Sequence, residues 1–571
     1  MDWEEILRRL QALYDEAEPK ASAEYTTTDT VMVEMSDGVH MKTEIFNTSK
    51  PTGAVILQRT CYPHMDKMLY MQAREYAKRG FTFVIQWCRG INGSEGTWEP
   101  NIYDRQDGLD TLNWLCRQEW CDRIGYLGDS YLAYTGWCML DSVPYKVKTM
   151  YLGVYGCDRH TSAYKDGLFR QDILTAWAKD NAGVKIDADF LESAKFRPQV
   201  EVDEKMWGVH LSWYRDWITH TDRSDTYWKE GLWGALKSVP SKVKIPVFVK
   251  EGWYDHHLGS AMVTYRSLSK EALSTSTLKI GPWNHGYMNA TTHQKTDNLG
   301  EDRISSPLSW FAKILLDGET PKQKASLYMI GKDEWLELDK FPEDLPVKKF
   351  SLTSTAPSGS KAAGGIDENA GEGEGKVSFV YDPENPVMSH GAESLFNTQK
   401  EVGSLEQPEV GYRDDVISFV SEPLTEDIDI LGQINVKLNV SSDGEDTAFT
   451  AKLMEVFPDG TAVNIRGTIT TLAYRNDSDV RLTYTPGKVE EINLKMWDVA
   501  WEAKKGSRLR LDISSSDFPQ YAVHPNKPGV WSTHPTTQKA TQTVHFGGKY
   551  DSCIELPVYS KKASCGIQST L

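Results

Sequence analysis

The sequence predicts a largely parallel α/β sheet, interrupted by a helical insertion and followed by an all-β sandwich. Three observations carry this. Between about Val31 and Cys157, short β-branched apolar runs alternate with helix-compatible stretches, the pattern of a parallel sheet covered on both faces. From Asp158 to about Val239 the rhythm breaks into polar, helix-compatible and Trp-rich sequence. From near Lys348 helical periodicity is gone and apolar residues alternate with polar ones.

At the N-terminus, Trp3, Ile6, Leu7, Leu10 and Leu13 recur at helical spacing over residues 2–17, an amphipathic leader within residues 1–20 that packs on the body or on another subunit. Gly53–Gln58 and Phe81–Gln86 read as buried strands, with helices over Met68–Arg79 and Asp104–Gln118. Ile124–Leu127 and Lys148–Gly153 are further strands, and the sheet resumes at Ile245–Val249 and Ser276–Ile280. The insertion carries Trp177, Trp207, Trp213, Trp217, Trp228 and Trp233 and reads as a helical cap over the strands' C-terminal edge, where ligands of open α/β sheets bind. In the last region Ile434, Val436, Leu438 and Val440 alternate with polar residues, as do Leu509, Leu511 and Ile513. Turns at Pro458-Asp459-Gly460 and Thr485-Pro486-Gly487 punctuate a jelly-roll sandwich, with Pro357–Lys376 a mobile loop. The predicted division is residues 1–157 with 240–346, a cap at 158–239, and the sandwich at 347–571. A chain of 571 residues is long enough to need such a division.

Composition narrows the function classes. The chain has 63 Lys and Arg against 81 Asp and Glu, a net charge of −18 that argues against nucleic acid or an anionic membrane surface as partner. No secretory pattern opens the sequence and no run of 18 apolar residues occurs. Eight scattered cysteines form no C-x-x-C pair, which predicts reduced thiols in a cytoplasmic protein and no zinc site. No cofactor or metal is called for, and a homo-oligomer is compatible with the leader.

The chemistry centres on Gly128-Asp129-Ser130-Tyr131-Leu132-Ala133, between a strand and a helix-compatible stretch. A small residue two before a serine at such a turn exposes the hydroxyl near a helix N-terminus, as a serine nucleophile requires. The usual second glycine, two residues on, is Leu132 here, and an ordinary helix N-cap is the alternative for Ser130. Asp255 and His285 each follow a predicted strand, in the chain order Ser, Asp, His of a nucleophile, an orienting acid and a base. Asp255 as a surface acid, with His256 or His257 as competing histidines, stays open.

Several segments resemble the cocaine-esterase and Xaa-Pro dipeptidyl-peptidase family of serine hydrolases, an α/β-hydrolase family with a galactose-binding-like jelly roll. They are Arg59–Tyr62, Arg89-Gly90 with Gly93–Gly96, Trp120–Asp122, Gly128–Leu132, Gly252–Asp255, Gly281–His285, Asp446–Lys452, Pro458–Gly460 and Ile513–Pro519. They run in order from about residue 30 to 535. The resemblance implies Ser130 as nucleophile, His285 as general base and then acid, Asp255 as orienting carboxylate, and an oxyanion hole from the Tyr62 hydroxyl and the Tyr131 amide. Three departures matter. Ala133 stands where the family usually has glycine. Trp87 replaces an Asp and reshapes a pocket wall or loses a hydrogen bond. His256, His257 and Leu258 follow the catalytic Asp where members that recognise an α-amino group have acids.

The expectation is therefore hydrolysis of small-molecule esters or amides through an acyl-enzyme. Trp87, Trp177, His256 and His257 are the candidate substrate contacts, and the Trp-rich cap points to an apolar or aromatic acyl pocket. Xaa-Pro dipeptidyl-peptidase or acyltransferase activity with the same residues is the alternative. An inactive binding scaffold is less favoured, because Ser, Asp, His and Tyr are all retained.

Overall fold

The computed structural model describes residues 3–294, 302–369, 373–391, 393 and 402–560. The leader forms α1 (Trp3–Glu16) and lies on the body: Leu10, Tyr14 and Ala17 are buried in one apolar cluster with Leu69, Tyr76, Ile304, Leu308 and Phe311.

Among the described residues the first sheet has ten strands: β1 (Tyr25–Glu34), β2 (His40–Thr48), β3 (Ala54–Thr60), β4 (Thr82–Trp87), β5 (Arg123–Asp129), β6 (Val147–Gly153), β9 (Val247–Gly252), β10 (Thr277–Gly281), β11 (Lys324–Met329) and β12 (Glu334–Leu338). Their order is β1-β2-β4-β3-β5-β6-β9-β10-β11-β12. From β4 to β11 all neighbours are parallel, and antiparallel pairs close both edges. Every residue of β3, β4 and β9 is buried, as strands covered on both faces require. The helices α2 (Asp66–Ala77) and α3 (Asp104–Cys116) form where periodicity places them. The strands β1 and β2 went unread in the sequence because β1, YTTTDTVMVE, is polar and mostly exposed, and β2, HMKTEIFNT, buries polar Thr43 and Glu44 among its apolar residues.

Between β6 and β9 lie short helices, among them α5 (Arg159–Ala163) and α6 (Gln171–Asp180), with a two-strand hairpin of β7 (Tyr164–Lys165) and β8 (Leu168–Phe169). Their tryptophans interlock: Trp213 packs 4.9 Å from Trp217 and 6.0 Å from Trp177, centroid to centroid.

Among the described residues the second sheet has eleven strands, from Val347 to Pro557, antiparallel except for one pair. One of its strands corrects the expected loop at Pro357–Lys376. Gly364–Asp367 is a strand because Ile366 is buried and pairs with Leu352, while residues 370–372 fall outside the described residues. This sheet also supports the first. Trp497 lies under the helix Leu258–Arg266, so close that a Cβ on Gly259 would come within 2.3 Å of its ring, and Arg266 pairs with the buried Asp498 at 2.8 Å. Seven cysteines are free thiols, and Cys565 lies outside the described residues.

Candidate active site

Three strand ends converge at the C-terminal edge of the first sheet. β5 runs into Ser130, which sits at φ 58° and ψ −125° immediately before α4 (Tyr131–Trp137). A non-glycine residue there is strained, and it is held by the flanking strand and helix. Gly128 makes the turn possible, since a Cβ at that position would lie 2.1 Å from the Leu132 carbonyl oxygen. Leu132, in place of a second glycine, is buried and helps line the pocket.

β9 leads to Asp255 and β10 to His285. The Nε2 of His285 lies 2.9 Å from Ser130 Oγ, and its Nδ1 lies 2.5 Å from Asp255 Oδ2. Asp255 is fully buried, and its other oxygen accepts the His257 amide at 2.6 Å. Both imidazole nitrogens therefore face a partner that suits a proton relay, with the carboxylate fixing the tautomer. Asp255, His256 and His285 also bring ligand atoms within 4.8 Å of one another, but a cation there would have to displace these contacts.

Tyr62 follows β3, and its hydroxyl accepts the Trp177 Nε1–H at 3.2 Å, leaving the phenol its own proton to donate. Burial holds its pKa well above the ordinary tyrosine value, so it stays neutral. Tyr131 is the first residue of α4, where an amide has no intrahelical acceptor. Its ring stacks on Trp177 at 10° and its hydroxyl donates to the buried Asp104 at 2.6 Å.

Trp87 is not where the sequence reading put it. It is fully buried, its indole donates to Glu44 at 2.7 Å, and it lines neither cavity beside Ser130. Its ring packs edge-on against Tyr70 of α2, 6.5 Å away. Trp177 lines both cavities, and His256 and His257 line one.

The two cavities meet at Tyr62, Ser130, Trp177 and His285. The outer one, about 610 Å³, is mostly apolar, with Leu10, Met65, Met68, Leu132 and Ile304 in its walls. The inner one, about 40 Å³, is lined mostly by buried residues, including Tyr155, Arg159, Ile173, Leu174 and Trp217. Sequence reasoning missed Tyr155 and Arg159. The only signal was the place of Tyr155 just past the strand that ends at Gly153 and of Arg159 at the start of the insertion.

Beneath the site, burial and the neighbouring Asp255 charge hold the Glu251 carboxyl well above its ordinary value, so it is kept protonated. Burial, reinforced by neighbouring positive charge, pushes the imidazoles of His256 and His257 well below theirs, so both are neutral.

Comparison with known proteins places this arrangement. Residues 37–287 match the family described as X-Pro dipeptidyl-peptidase (S15 family), and residues 317–555 match the X-Pro dipeptidyl-peptidase C-terminal non-catalytic domain. Cocaine esterase from Rhodococcus sp. is 26% identical over 94% of this chain and 99% of its own. A crystal structure of an aminopeptidase from a marine sediment Thaumarchaeota archaeon superposes with a TM-score of 0.78 at 21% identity, covering 96% of this chain and 98% of that one. An α-amino acid ester hydrolase superposes at 0.79 with 22% identity, covering 94% and 97%. The last two share the fold.

Proposed function

The chain belongs to the cocaine-esterase and X-Pro dipeptidyl-peptidase family of α/β-hydrolases, and from that premise we propose that it hydrolyses small-molecule carboxylic esters through an acyl-enzyme on Ser130. The contact that carries the reading is the unbroken line from Asp255 through His285 to Ser130 Oγ.

In this mechanism Ser130 Oγ bonds to the ester carbonyl carbon while His285 Nε2 takes its proton. Asp255 stabilises the imidazolium and does not itself take the proton. The Tyr62 hydroxyl and the Tyr131 amide stabilise the oxyanion; they are neutral donors held in place before charge develops. On collapse the carbon–oxygen bond to the alcohol breaks, and His285 protonates the leaving oxygen. Water then attacks the acyl-enzyme, gives its proton to His285, and Ser130 departs as the acid is released. Amides fit the same cycle.

The peptidase branch of the family must hold a substrate ammonium. Among the described residues no acidic side chain lines the inner cavity, where Arg159 stands instead; Asp129, which accepts the Tyr287 hydroxyl, and Asp180 line only the outer one. Esterase chemistry is therefore favoured. Ser130→Ala should lower hydrolysis of p-nitrophenyl esters by at least about 10⁴-fold, the scale on which nucleophile removal acts. Undiminished turnover would refute the mechanism, and rapid cleavage of aminoacyl-proline anilides with poor ester turnover would favour the peptidase.

A further inference from the structure

The inner cavity holds buried polar side chains that the reaction does not use, Arg159 and His256 among them. Arg159, at the first turn of α5, is 7% exposed, and its Nε has no hydrogen-bond partner among the described residues. Its guanidinium lies 4.5 Å from the Trp217 ring and 5.5 Å from that of Trp233, and no carboxylate among the described residues is within ion-pair distance. The neighbouring Asp158 is paired with Lys237 at 2.9 Å. His256 is 3% exposed and its Nδ1 also lacks a partner among the described residues. Tyr155 completes the wall; burial pushes its phenol up to about 12, against the pull of the Arg159 charge.

A buried guanidinium whose polar neighbour is the neutral Tyr155 phenol, with no carboxylate beside it, is costly unless something anionic meets it. Here it borders a chamber that also contains Ser130 and both proposed oxyanion donors. The chamber is small and lined mostly by buried residues, whereas the outer cavity is large and reaches exposed residues such as Pro63 and Gly183. An alcohol must escape while the acyl group is still bonded to serine, so the roomy cavity suits the leaving group and the inner one the acyl chain.

We propose that the inner cavity is an acyl subsite for a short chain ending in a carboxylate, which Arg159 binds with help from His256 and Tyr155. This rests on the hydrolase reading above. A water needs roughly 10–15 Å³ by this measure, so about 40 Å³ admits a chain of only one or two carbons before the acid group. The substrates are then half-esters of short dicarboxylic acids, and the products a dicarboxylate and an alcohol. An ammonium in the same place would meet Arg159 and be rejected.

The test compares monoethyl malonate, ethyl malonamate and glycine ethyl ester at neutral pH by ethanol release. They differ chiefly in an anionic, neutral or cationic end group. The wild type should prefer the malonate over the malonamate by about 10- to 100-fold in kcat/KM, the worth of a buried charge-assisted hydrogen bond, with the glycine ester poorest. Arg159→Gln should collapse that ratio and Arg159→Lys should keep part of it. Because the readout is a ratio within each variant, a general loss of activity does not imitate the result. Equal rates for malonate and malonamate, or a preference that survives in Arg159→Gln, overturn the proposal. Calorimetric titration of malonate into Ser130→Ala gives a second arm that needs no turnover: binding is expected there and should be lost on adding Arg159→Gln. If malonate binds but no ester is cleaved by the wild type, the hydrolase reading fails and the anion site stands. If esters are cleaved and malonate does not bind, the reverse holds.

Discussion

The hydroxyl of Tyr287 donates to Asp129 Oδ1 at 2.7 Å, tying the loop that carries His285 to the strand end that carries Ser130. Serine and histidine belong to elements 155 positions apart, so their approach depends on such cross-links. Gly153 leaves the room for this one, since a Cβ there would lie 2.1 Å from both Asp129 Oδ1 and the Tyr287 hydroxyl. Tyr287→Phe should lower kcat by up to about tenfold with little change in KM, equivalent to about 1 kcal/mol of lost positioning. Steady-state kinetics on a p-nitrophenyl ester checks it, and an effect on KM alone would place Tyr287 in binding.

Tyr62→Phe removes one proposed oxyanion donor and keeps the ring. Its kcat should fall by about 10²–10³-fold, the range measured when such a donor is lost, while KM changes little. Stability should fall by no more than about 1 kcal/mol, because Phe keeps the ring and the hydroxyl accepts a single hydrogen bond, from Trp177. A loss below about threefold would assign the hydroxyl to packing on Trp177 instead.

Glu251 gives a stability prediction with a definite sign. Its folded pKa is raised by burial and by Asp255, so the native state holds a proton that the unfolded chain releases at the ordinary carboxyl pKa. That stability is complete below the unfolded value and drains away as pH rises toward the folded one. Glu251→Gln keeps the shape without the titration, so its urea midpoint should fall less than that of the wild type between about pH 5 and about pH 8. Parallel profiles would mean that Glu251 is ionised in the native protein.

The serine, aspartate and histidine were legible because each follows an apolar run that ends at the same sheet edge, and chain order fixed which was which. The parallel strands were legible for the same reason: β3 and β4 are buried on both faces and contain little but apolar and β-branched residues. What the sequence hid depends on packing between distant segments. Trp87 looked like a pocket wall from its place in a motif, yet its direction is set by Glu44 on the adjacent strand β2. Arg159 looked like any cap cation, and its isolation is visible only once Asp158 is seen to be occupied by Lys237. Strand Gly364–Asp367 was masked by its glycines, since pairing partners supply the order that its composition lacks.

The central claim, that Ser130 is made nucleophilic by His285 and Asp255, is tested most directly by a fluorophosphonate probe read by intact mass and peptide mapping. The wild type should take up one label, on Ser130, and His285→Ala should label far more slowly. A label on another residue, or equal labelling rates in wild type and His285→Ala, would contradict it.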